Sequence, residues 1–83
     1  MEIKRMRPRN VDGNVRDAEE LGQFIRKRRK ELGMTQVELS KFCKCSPRFI
    51  GELEHGIAGG NIKQVLKVVH MLGMDLFIRT RGE

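Results

Sequence analysis

The sequence predicts a compact all-α domain of four to five short helices that ends in a single short β-strand. Three observations predict it. Apolar residues recur at helical spacing in four successive segments, each opened by a residue suited to capping. The last segment, "MDLFIRT", switches to a period of two. The chain has 83 residues, one small domain's worth. A chain of that size buries only roughly 60% of its unfolded surface, so its core is marginal and it needs well-capped helices, a partner, or both.

Residues 1–16, "MEIKRMRPRNVDGNVR", form a flexible basic arm. Lys4, Arg5, Arg7 and Arg9 are interspersed with the turn formers Pro8, Asn10, Asp12, Gly13 and Asn14, and apolar residues are too sparse to pin the arm to a core. Such an arm either frays in solvent or reaches phosphate or a groove.

The main domain covers residues 17–73. Asp17-x-x-Glu20 has the form of a capping box, and Leu21, Phe24, Ile25 and Leu32 fall on one face of the helix it opens. "RKRRKE" fills the opposite side, where Arg26, Lys27 and Arg28 either face solvent or reach phosphate, and Gly33 is placed to end the helix. Thr35-x-x-Glu38 is a second capping box, with Val37, Leu39 and Phe42 as apolar positions before an end near Cys43. Ser46 caps a third helix with Pro47 at its first position, where the missing N–H costs nothing. Phe49, Ile50 and Leu53 of that helix face inward and Gly56 terminates it, leaving "IAGG" as a loop. Asn61 caps a fourth helix whose stripe is Ile62, Val65, Leu66, Val69 and Leu72, closed by Gly73. Met34, Met71 and Met74 are core filler.

Residues 74–83 are the strand and tail. Met74, Leu76 and Ile78 alternate with Asp75, Phe77 and Arg79, and the chain offers no other convincing strand. A lone strand leaves a row of backbone groups unpaired. Its simplest mate is the same strand of a second copy across a two-fold axis, so Met74, Leu76 and Ile78 are expected to join a homodimer.

Composition narrows the function. Seventeen Lys and Arg against eleven Asp and Glu give a net charge of +6 and a pI near 9.9, a balance that suits a polyanion such as nucleic acid. Two cysteines in a C-x-C spacing exclude a multi-disulfide secreted framework. No run approaches the roughly 18 apolar residues of a membrane span. The basic N-terminus has no apolar stretch after it, so no secretory signal is present and a cytoplasmic location is expected.

Two short helices joined by a turn of about three or four residues have the layout of a DNA-binding helix-turn-helix. The first helix offers its N-terminal N–H groups and Gln36 to a phosphate. The outward face of the second begins with Pro47, Arg48, Gly51 and Glu52. Arg48 suits bidentate pairing with guanine O6 and N7, Glu52 could accept from a cytosine amino group, and Pro47 could pack on a thymine methyl. Gly51 permits close approach, either to the preceding helix or to DNA.

The run "IRKRRKELGMTQVELSKFCKCSPRFIGELEHG" resembles the phage-repressor (Xre-like, Cro/C1-type) helix-turn-helix family. The resemblance rests on Arg29, Leu32-Gly33, Thr35-Gln36, Glu38-Leu39, Ser46, Ile50, Leu53-Glu54 and Gly56, and extends over residues 21–73. It implies a phage-repressor-like fold and DNA contacts from Thr35, Gln36, Ser46, Pro47, Arg48 and Glu52. It also implies a structural ion pair between Arg29 and Glu54. Two positions depart from the pattern: Pro47 stands where a polar base reader is common, and Lys44 where the turn usually has Gly. The fourth helix followed by "LGMDLFIRTRG" is similar to the HipB-like antitoxins of type II toxin–antitoxin operons. That second resemblance implies strands paired across a dimer, a cognate toxin as partner, and repression of the protein's own operon at a palindromic double-stranded operator. Two other readings fit the same residues: a stand-alone phage-type transcriptional regulator, and a mainly protein-binding module that neutralises a toxin.

Other chemistries find little in the chain. Two thiolates at Cys43 and Cys45 are half a tetrahedral zinc site, and His55 and His70 are not in finger spacing, so no metal and no cofactor is expected. The resemblance places both cysteines among small apolar positions packed at the turn. "AGGN" lacks the Lys-Ser/Thr of a phosphate loop, no nucleophile and base stand at plausible positions, and no catalytic residue or enzymatic activity is expected.

Overall fold

The computed structural model describes residues 13–57 and 61–82. Four helices follow one another: α1 Ala18–Glu31, α2 Gln36–Cys43, α3 Pro47–Glu54 and α4 Ile62–Met71. Each starts at a side-chain cap. Asp17 accepts from the Glu20 N–H at 2.8 Å, Ser46 from that of Phe49 at 3.0 Å, and Asn61 from that of Gln64 at 3.1 Å. At α2 the box is complete, because Thr35 Oγ1 accepts from the Glu38 N–H while the Glu38 carboxylate accepts from the Thr35 N–H. At α1 the box is displaced: Glu20 reaches past Asp17 and accepts from the Arg16 N–H at 2.7 Å.

All four helices also end alike. A residue in the left-handed region (Gly33, Lys44, Gly56 or Gly73) turns the chain, and the next N–H returns to a carbonyl five residues earlier. Met34 thus donates to Arg29, Cys45 to Ser40, Ile57 to Glu52 and Met74 to Val69, at 2.8 to 3.1 Å. This is the Schellman arrangement, which satisfies terminal carbonyls and favours glycine at the turning residue. Three ends have that glycine. The fourth has Lys44, at φ 58 and ψ 48.

The core is drawn from every helix: Ile25 of α1, Leu39 and Cys43 of α2, Ile50 and Leu53 of α3, and Val65, Val68 and Val69 of α4, with Leu72 just beyond it. α3 packs on both α1 and α2, and α4 supports α2 from behind. Gly22 makes the first of these contacts possible, since a Cβ there would overlap the carbonyl oxygens of Leu53 and Glu54. Met34, Met71 and Met74 lie half-buried against this core.

Several expected inward residues lie outside. Leu32 caps α1 at 45% exposure, and Arg29 takes the inward seat of its last turn instead. Val37 and Phe42 are half exposed because α2 buries the stripe Leu39, Ser40 and Cys43. Ile62, the first residue of α4, is exposed, and Val68 joins the buried face of that helix.

The expected C-terminal strand has no ladder. Residues 74–80 carry neither helix nor strand, and among the described residues there is no strand to pair with. Met74 closes α4 and packs inward, whereas Leu76, Phe77 and Ile78 are exposed in succession. They border a groove whose other side includes Leu21, Phe24 and Arg28 of α1. The basic residues expected in the arm, Lys4 to Arg9, lie outside the described residues.

Candidate nucleic-acid interface

α2, its turn and α3 carry the six predicted contact residues. Thr35, Ser46, Pro47 and Arg48 are exposed, and Gln36 and Glu52 are half-buried. Thr35 and Ser46 use their hydroxyl oxygens as helix caps, and each keeps an O–H free to donate outward. The amide of Gln36 lies beside Gly51, 3.8 Å from where a Cβ would stand, an ordinary van der Waals distance, so the approach of the preceding helix does not itself require glycine there. Arg48 and Glu52 sit one turn apart on α3 and touch: Arg48 Nε donates to Glu52 Oε2 at 3.0 Å.

Behind this face lies a buried polar cluster. Arg29 Nε and Nη2 donate to the two oxygens of Glu54 at 2.6 and 3.0 Å, and Arg29 Nη1 donates to the Met34 carbonyl at 2.8 Å. Gln36 Nε2 donates to Glu54 Oε1 at 3.0 Å. Because a carboxylate accepts only, this last bond fixes the amide's orientation, with Nε2 toward Glu54. Burial opposes the charge on Glu54, yet the bonds from Arg29 and Gln36 and the Arg29 charge outweigh it and hold the carboxyl below its ordinary value. The bond to Glu54 likewise raises the Arg29 guanidinium above its usual value against the cost of burial. No buried side-chain polar atom among the described residues lacks a partner.

The cysteines are free thiols that flank Lys44 in the turn. Cys43 is fully buried, and burial pushes its thiol up, with the neighbouring Cys45 adding to the effect. Burial raises Cys45 as well. Both are therefore poor nucleophiles near neutral pH. Among the described residues, no three His, Cys, Asp or Glu side chains gather in a metal-binding group.

Of the α1 cations, Arg28 turns away from this face. Its Nε donates to the Leu72 carbonyl at 2.9 Å and its Nη1 to Glu31, so it ties the end of α4 to α1. Arg26 and Lys27 remain exposed. Sequence reasoning did not find the Gln36–Glu54 bond, the Arg28–Leu72 bond or the packing role of Gly22. Only Gly22 left a signal, as a glycine inside a helical pattern that costs about 1 kcal/mol relative to alanine and so calls for a packing reason.

Residues 25–77, the span from the middle of α1 through α4 into the C-terminal segment, match the Helix-turn-helix family. The chain belongs to the Xre-like helix-turn-helix family. It is 33% identical over 69 residues to the uncharacterized HTH-type transcriptional regulator y4mF of Sinorhizobium fredii, a stretch covering 83% of this chain and 91% of that protein. Among solved structures, one chain of the HipA-HipB-O2-O3 complex superposes with a TM-score of 0.73 at 17% identity, over 83% of this chain and 97% of its own length. The clp gene regulator ClgR from C. glutamicum superposes with a TM-score of 0.66 at 29% identity, over 80% of this chain and 85% of the other. As a helix-turn-helix protein the chain is a DNA-binding transcriptional regulator. No helix among the described residues is long and apolar enough to cross a membrane.

Proposed function

We propose that this helix-turn-helix regulator is a sequence-specific repressor that binds a palindromic operator as a homodimer, and that it autoregulates a type II toxin–antitoxin operon as the antitoxin. The observation that carries operator reading is the exposed α3 face, where Arg48 projects with Ser46 and Pro47 beside it and Gln36 stands behind. Arg48 reads guanine, Gln36, Thr35 and Ser46 hold the backbone, and Pro47 packs on base edges. Half-sites then lie about 34 Å apart on one side of the duplex.

Two further features support the dimer and the antitoxin role. Leu76, Phe77 and Ile78 are exposed one after another in a segment of period two, a run whose simplest cover is the same segment of a second copy. The solved complex whose chain shares this fold unites HipA, HipB and O2–O3. A second reading, a stand-alone regulator with no toxin, is favoured by the likeness to ClgR.

The test is a binding titration of the full chain against DNA from immediately upstream of its own gene, with scrambled competitor, at two salt concentrations. Affinity for the upstream DNA that persists while non-specific binding fades with salt is the expected result. Equal and salt-labile binding to both DNAs would overturn operator reading. Co-purification of the product of an adjacent gene separates the antitoxin from the stand-alone regulator.

A further inference from the structure

We propose that Glu52 is a positioning residue for Arg48, which it aims at guanine, and that it reads no base itself. The inference rests on α3 being the base-reading helix. Arg48 is 87% exposed at its side chain and Glu52 37%, so the carboxylate is the more firmly seated member of the pair. The bond at 3.0 Å uses Arg48 Nε alone. A guanidinium has five N–H donors, and with Nε engaged the four on Nη1 and Nη2 remain, in the fork that matches guanine O6 and N7. An exposed arginine otherwise samples many rotamers, and ordering it on DNA costs entropy that a preformed partner reduces. The pair also resolves a conflict of charge. A bare carboxylate carried into the groove would be repelled by flanking phosphates, whereas one bonded to Arg48 presents no isolated negative charge. Gly51, between the two residues in sequence, has no side chain to intrude, and the nearby Gln36 has its amide nitrogen committed to Glu54.

The experiment is selection from a DNA library randomised across both half-sites, using the full chain as wild type, Arg48→Ala, Arg48→Lys, Glu52→Gln and the double variant Arg48→Ala/Glu52→Gln. Thermal unfolding of each protein checks that it is folded. Arg48→Ala is expected to lose about 5- to 150-fold of discrimination at one base pair. Glu52→Gln is expected to lose about two- to fivefold at that same base pair, the scale of one exposed ion pair. Arg48→Lys should behave like Arg48→Ala, since an ammonium lacks the fork. In the double variant, Glu52→Gln should add nothing at that position. A change of preference at a different base pair in Glu52→Gln would show that Glu52 reads a base and overturn the proposal. A uniform gain in affinity with all preferences kept would overturn it too, by showing the carboxylate acts only as a charge. If the wild type enriches no sequence, operator reading itself falls and the proposal with it.

Discussion

Glu54 is where the stability of this domain and its response to acid meet. Its carboxylate is buried and bound by Arg29 through two bonds and by Gln36 through a third. Glu54→Ala strands the Arg29 charge in the interior, and breaking a buried pair in that way costs about 3–5 kcal/mol. That is a large share of what so small a domain has, and chemical denaturation should show it directly. The folded carboxyl is held below its ordinary value of 4.5, so the unfolded chain takes up a proton at a higher pH than the folded one does. The pair's contribution is therefore complete at neutral pH, begins to fade as pH falls toward 4.5, and is gone below the depressed native value. Stability followed from pH 7 downward should decline over that window in the wild type, and less steeply there in Glu54→Gln. The ion pair was legible as a family implication of Arg29 and Glu54, but the Gln36 bond was not. It joins residues 18 apart whose side chains meet only once α2 and α3 have packed, and no local pattern encodes that meeting.

The helices show which signals a sequence holds locally. Caps at Asp17, Thr35, Ser46 and Asn61 were readable because the side chain and the N–H it serves are three residues apart. The stop at Gly33, Gly56 or Gly73 was readable because glycine tolerates the left-handed turn. Which face of a short helix is buried was less legible. In eight residues of α2, Val37, Leu39 and Phe42 compete for the inward side, and packing against α3 and α4 selects Leu39 with Ser40 and Cys43. Lys44 is the element-level anomaly, a side chain at φ 58 where the three equivalent ends have glycine. A non-glycine residue in that region costs about 1–2 kcal/mol. The lysine charge at the end of α2 offsets part of this, about 0.3–1 kcal/mol. Strain is the larger of the two, so Lys44→Gly should raise stability by about 0.5–1 kcal/mol in thermal unfolding. The same measurement on Lys44→Val should show the opposite sign, because a β-branched side chain fits that turn worse still.

At the scale of the molecule, the proposed dimer rests on the C-terminal segment. Met74 closes α4 and packs on the core, so removing residues 75–83 takes away Leu76, Phe77 and Ile78 and leaves the domain intact. The shortened chain should sediment as a monomer and bind a two-half-site operator about a hundredfold or more weakly, since the second contact is no longer tethered to the first. A tight dimer after truncation would place the two-fold contact elsewhere. The period of two in "MDLFIRT" is legible in the sequence, but residues 74–80 form no strand in the described chain, so the expected pairing stands as a proposal that this truncation tests. The amide of Gln36 has a wider consequence. It stands on the proposed DNA-facing side yet is gripped by a carboxylate inside the domain, so the interior and that face share an atom-to-atom link. A genetic hunt for operator-blind mutants should therefore collect lesions at Arg29 and Glu54 together with those at Arg48. Revertants of the inner lesions would map to the protein's interior, whereas a changed operator could suppress only the outer ones.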